Sequence, residues 1–254
     1  MDYRRLFVAH GAPTLALSDV PAHRFLRELG AELKRPRAIV VISPHWVSGS
    51  FHVRSPERFR TWHDFAGFPD ALYRIRYEPP GDAELARRVV GLLESGGLET
   101  GLDQGADMDH GAWVPLSLVY PDADVPVVQV ALQADAGPEG CLALGRALSP
   151  LAEDDVLLLG SGSIVHNLGD IHPERAAPAP WASAFDRWVA SQVEQGDWAA
   201  VANYRALAPE PERAHPEDDH FLPLLTALGA GSRAVRLHDS FTYGTISMAS
   251  YGVR

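Results

Sequence analysis

Cysteine is nearly absent: Cys141 stands alone among 254 residues. A single thiol excludes an intramolecular disulfide and any cysteine-based zinc cluster, and it fits a chain that works in a reducing cytoplasm. A metal, if one is held, must be held by histidine or carboxylate. Long apolar runs are missing as well. None approaches the roughly 18 residues of a membrane span, and the apolar stretch in "MDYRRLFVAHGAP" stops at His10, too early for a signal-peptide core. Neither membrane association nor export is expected. Positive charge is scarce, with 22 Lys and Arg against 33 Asp and Glu and a formal net charge of −11. The basic residues are also scattered, which argues against a nucleic-acid partner. The "GSGS" of residues 160–163 lacks both the Gly-x-Ser-x-Gly elbow and the Walker lysine, so neither a serine nucleophile nor a phosphate loop is supported.

What is present is an alternation. Four apolar runs rich in β-branched residues, "LFVA" (6–9), "RAIVVIS" (37–43), "VPVVQVAL" (125–132) and "DVLLLGSG" (155–162), read as buried strands. Between and after them lie helix-like stretches at 22–33, 82–97, 139–152 and 181–198. Strands alternating with helices predict an α/β fold. The expected form is a single domain over residues 1–254, with a mostly parallel, mixed central sheet and helices on both faces. Repeats, low-complexity tracts and an obvious linker are lacking.

The eleven histidines are informative by position. His10 follows the first strand in "AHGAP", His45 follows the second in "SPHW", and His166 follows the fourth in "GSGSIVHNLG". Open parallel sheets form their ligand crevice at those strand ends. One histidine after a strand is most often a hydrogen-bonded loop residue, but three at equivalent edges make coincidence harder to sustain, and neutral imidazole is a common metal ligand. His215 and His220 flank an acidic cluster in "RAHPEDDHFLPLLTALG" (213–229). The placement of Pro223 predicts a helix starting near Asp218 or Asp219, with His220 in its first turn; the plainer alternative makes those aspartates caps and His220 packing. His110, in "DMDHGAWVPLSLVY", adjoins Asp109. That carboxylate can fix the imidazole tautomer, cap a following helix, or both. Trp46 and Trp113 can wall an aromatic ring, or can simply be packing.

Taken in order, "HGAP", "SPHW", "HDFAGFPDALYRIRYEPPG" (63–81), "DHGAWVPL", "GSGSIVHNL", "HPEDDHFLPL" and the closing "SMASYGVR" resemble the DODA-type branch of the class III, LigB-like extradiol ring-cleaving catechol dioxygenases, from residue 6 to the C-terminus. The resemblance implies a non-haem metal held by His10, His45 and His220. His166 would be a further ligand or the acid/base beside it, His110 would lie against the substrate, and His215 would have a supporting place near the substrate. It implies a small catecholic substrate and O2, with Fe(II) in the active enzyme and a muconic semialdehyde as product. The wider class uses two histidines and a carboxylate; an all-histidine set would also suit Zn(II). The residues therefore leave open a zinc-dependent hydrolase on the same scaffold and a non-catalytic metal-binding homologue. Which catechol is used, and the oligomeric state, are not legible.

Overall fold

The computed structural model describes residues 1–254 and is built on an eight-stranded sheet. In chain order the strands are β1 (Arg5–Ala9), β2 (Ala38–Ser48), β3 (Phe51–Arg54), β4 (Thr100–Asp103), β5 (Val127–Gln133), β6 (Val156–Gly162), β7 (Ala234–His238) and β8 (Ser250–Val253). They lie side by side as β4-β3-β5-β2-β6-β1-β8-β7. The central four, β5, β2, β6 and β1, are mutually parallel, and they are the four apolar runs of the sequence. Antiparallel pairing of β3 with β5, and of β8 with β1 and β7, makes the sheet mixed.

The central strands are apolar throughout because both faces are covered. Leu6, Val8, Ile39, Val41, Leu157 and Leu159 point to one side, where they join a core with helices α1 (Pro21–Glu32) and α3 (His110–Val119). Phe7, Val40, Ile42 and Leu158 point to the other, onto α2 (Ala83–Ser95), α4 (Gly137–Leu148), α5 (Pro180–Gln195) and α6 (Leu222–Gly229). Each such side chain contributes roughly 1.5–3 kcal/mol of burial. Helix ends obey local rules: Asp82 accepts the Leu85 N–H at the start of α2, and α5 stops where Gly196 turns left-handed at φ 75°.

Three details differ from the sequence reading. The helix expected over 139–152 is α4 followed by a separate 3-10 turn at Ser149–Ala152, where Pro150 interrupts the α-helical hydrogen bonds. β2 does not stop at residue 43. It runs to Ser48 through an irregularity, with Ile42 paired to Val130 and Val47 to Leu132, so residues 43–46 face residue 131 alone. A bulge of this kind re-aims side chains, and His45 lies inside it. Finally, α6 begins at Leu222, not at Asp218 or Asp219, with Pro223 in its first turn where no N–H is needed. His220 therefore sits in the turn ahead of the helix.

Candidate metal centre

His10 is the first residue past β1. Its N–H continues the ladder to the Gly162 carbonyl at 3.1 Å, and its ring is buried. Nδ1 lies 3.0 Å from Ser161 Oγ, and the Ser161 hydroxyl donates to the Gly111 carbonyl. With its one proton committed, Ser161 can only accept from Nδ1–H. The neutral tautomer is thereby set, and the Nε2 lone pair turns to the crevice. There it meets His45 Nε2 at 3.3 Å.

His110 opens α3. Asp109 does cap that helix, accepting from the Ala112 N–H, and it also accepts from the Ser43 hydroxyl and the Gln129 amide. The carboxylate that holds the His110 ring is a different one: Asp64 Oδ1 accepts from both the backbone N–H and Nδ1 of His110, each at 2.9 Å, while its Oδ2 lies 3.9 Å from His45 Nδ1. Asp64 was not singled out in the sequence, although it sits in the "HDFAGFP" motif. A carboxylate 46 residues distant offers no spacing signal. Burial would raise the Asp64 pKa, but the hydrogen bonds from His110 outweigh it and hold the group below the usual carboxylate range.

His220 reaches the crevice because two glycines of β6 let its loop lie on the sheet. A Cβ on Gly162 would stand 2.3 Å from the His220 carbonyl oxygen, and one on Gly160 2.2 Å from that of Pro223. The His220 ring stacks on His166 at 3.5 Å and 6°, and Asp219 Oδ2 lies 3.0 Å from its Nδ1. Asp218 and Asp219 do not cap α6; Asp218 instead binds Tyr204 and Arg205.

The structure thus gathers His10, His45, His110, His166 and His220. The most compact set of donor atoms is His10, His45 and His110, all within 4.8 Å of one another. Ring centres give a second relation: His10–His45, His10–His220 and His45–His220 are separated by 5.2, 5.3 and 5.0 Å, a near-equilateral triangle. Three imidazoles bound tetrahedrally to one ion through bonds of 2.0–2.1 Å would have ring centres about 5.2 Å apart. His45 and His110 are closer, at 4.0 Å and 39°, nearer to stacking than to radiating from one point.

Burial pushes His10 and His220 well below the ordinary histidine range, lowers His45, and takes His166 to about 4; the neighbouring imidazoles add to the effect in each. Several neutral rings with lone pairs turned inward, backed by Asp64 and Asp219, make a donor set that fits a divalent metal.

Two expectations need correction. His215, placed near the substrate, has no exposed surface. Its Nε2 hydrogen-bonds the Ile164 carbonyl at 2.8 Å, and its ring is wedged among Phe185, Tyr204 and Phe221, so it supports the 163–166 loop from behind. Trp113 is likewise fully buried, its indole N–H donating to the Trp62 carbonyl; it backs Phe65 rather than facing the crevice. The aromatic ring beside the cluster is Phe65, edge-on to His110 at 5.7 Å and missed in the sequence. Trp46 is half-buried and lines a cavity of about 380 Å³ that includes His45. Another, of about 290 Å³, includes His166, Glu217 and Asp219. No helix is long and apolar enough to cross a membrane.

Comparison with known proteins identifies the family. Residues 6–254 match the family described as the catalytic LigB subunit of aromatic ring-opening dioxygenase. The chain is 40% identical to a 4,5-DOPA dioxygenase extradiol from Beta vulgaris, over 96% of this chain and 94% of the relative. It is 36% identical to a protein of the same name from Escherichia coli, over 96% and 92%. A crystal structure of an uncharacterized Escherichia coli protein superposes with a TM-score of 0.83 and 32% identity, covering 98% of both chains.

Proposed function

This chain belongs to the family of the catalytic LigB subunit of aromatic ring-opening dioxygenases and is an extradiol ring-opening enzyme; from that premise we propose that it uses Fe(II) to cleave a side-chain-bearing catechol to a muconic semialdehyde. The observation that carries the reading is the equal spacing of the His10, His45 and His220 rings. These three would hold the metal, which would supply the site for the catechol diol and dioxygen. Iron(II), when bound, supplies the electron transfer to dioxygen that zinc lacks.

The rest of the work falls to this chain's own groups. His110, with its Nδ1–H committed to Asp64, presents Nε2 toward the ring and orients a hydroxyl; Phe65 packs beside it. His166 is neutral, since burial pushes its pKa to about 4. It takes a proton from a substrate hydroxyl and returns it to the opening product. The stacked His220 ring and the backbone bond from the His166 N–H to the Ala214 carbonyl keep it in place. The relatives from Beta vulgaris and Escherichia coli are named for DOPA, which is the reason for choosing a catechol with a side chain.

The test is anaerobic reconstitution of the metal-free protein with Fe(II) or Zn(II), addition of a catechol panel, then admission of air. Oxygen uptake with a new visible absorbance in the iron sample alone is the expected result. Oxygen uptake with zinc alone would overturn the assignment of iron. His10→Ala and His45→Ala should lose the metal, whereas His166→Ala should retain it and lose turnover.

A further inference from the structure

The cavity next to His45 contains a fixed cation that the reaction does not use. Arg54, the last residue of β3, lies flat on Trp46 with Cζ 3.9 Å from the ring centre. Its Nε donates to Asp103 Oδ1 at 2.6 Å and its Nη1 to the Asp107 carbonyl at 2.8 Å. A Cβ at residue 105 would stand 2.8 Å from Nε and 2.9 Å from Cζ, so the glycine there leaves the space the guanidinium fills. Nη2 makes no hydrogen bond to the protein, and Arg54 lines a cavity of about 380 Å³ shared with His45, Trp46, Trp62, Asp107 and Asp109. That volume suits a short side chain of a bound aromatic.

Of the nearby carboxylates, Asp103 pairs with the Nε edge of Arg54 itself, and the two that line the cavity have other partners. Asp107 Oδ1 pairs with Arg60, and Asp109 accepts from Ser43 and Gln129. The cavity beside His166 is also lined by two carboxylates, Glu217 and Asp219, but has no cation. Of the two cavities, only the one beside His45 offers an anionic substituent a guanidinium.

We propose that Arg54 is the specificity-determining contact of this enzyme, receiving a carboxylate at the end of the catechol's side chain while the diol lies over the histidine cluster. The proposal rests on the ring-opening reading above and adds to it which end of the site recognises the side chain. A guanidinium already held by stacking and two hydrogen bonds loses little freedom on binding, and its planar fork matches a carboxylate.

The experiment compares 3-(3,4-dihydroxyphenyl)propionate with 4-methylcatechol on the iron-loaded native protein, Arg54→Gln and Arg54→Lys. The native enzyme should prefer the carboxylate. In Arg54→Gln the ratio of kcat/KM for the two substrates should fall roughly 10- to 100-fold, with Arg54→Lys between, as expected for one charged hydrogen-bonded contact. Calorimetric binding of both catechols to the zinc-loaded proteins under argon, which needs no turnover, should show the same change in ratio. Equal losses for both substrates would overturn the proposal, since Arg54 would then only brace Trp46 and Asp103; so would an unchanged ratio. If the native protein opened neither ring, the function proposed above would fail, and the binding ratio would still decide the role of Arg54.

Discussion

Replacing Gly162 with alanine probes the link between sheet packing and the metal centre. Gly162 ends β6, and an added Cβ would lie 2.3 Å from the His220 carbonyl oxygen and 3.2 Å from Phe7 Cε2. The first contact is closer than van der Waals packing allows by about 1 Å. It involves backbone, so no side-chain rotation relieves it. The same oxygen accepts the Ser163 N–H at 2.8 Å, and moving it far enough to clear the methyl breaks that bond. Overpacking costs about 1–3 kcal/mol and the lost hydrogen bond about 1 kcal/mol. The expected destabilisation of metal-free Gly162→Ala is therefore about 2–4 kcal/mol, or roughly 5–15 °C in Tm for a chain of this size. Because His220 moves with its carbonyl, metal affinity in a chelator competition should fall about 10- to 100-fold, and kcat by a similar factor from misplacement. Gly91→Ala is the control. It lies within α2 with nothing within 4 Å of the added carbon, so it should stabilise by about 0.5–1 kcal/mol. A Gly162→Ala protein within about 0.5 kcal/mol of native, with unchanged metal affinity, would refute the claim that this close approach positions His220.

Asp64→Asn removes the charge behind His110 and weakens a bond that fixes its ring; kcat should fall roughly 10- to 100-fold with the fold intact by circular dichroism. Ser161→Ala leaves the His10 Nδ1–H and the Gly111 carbonyl without their partner, so denaturant unfolding should show a loss of about 1–3 kcal/mol and chelator competition a weaker hold on metal. Buried His215 has its pKa pushed down by burial to about 4, against 6.5 in the unfolded chain. Below pH 6.5 the unfolded state takes up a proton that the folded state refuses, so the metal-free protein loses stability as pH falls toward 4, by up to about 3 kcal/mol from this group. Unfolding free energies measured between pH 6.5 and 4 should fall less steeply in His215→Gln; coincident slopes would contradict the assignment.

The fold's centre was legible because the parallel strands β1, β2, β5 and β6 are apolar on both faces, and continuous apolar runs survive in any one-dimensional reading. The outer strands were not. β7 is "AVRLH", with no buried residue, and β8 was noticed only as a closing motif, since it is only four residues long and its partner β1 lies at the other end of the chain. Histidines at strand ends pointed to the crevice for the same topological reason. The bulge that aims His45 left no trace, because bulges arise from pairing between strands.

By itself, the amino-acid order determined which segments are buried, and hence an α/β sheet with His10, His45 and His166 at or near one set of strand ends; periodicity and burial are local properties. Only tertiary structure decided which carboxylate holds which ring, that His215 and Trp113 face inward, and that Phe65 and Arg54 flank the cluster. Those assignments depend on distances of a few ångströms between residues tens to hundreds of positions apart, and only the folded chain specifies such distances.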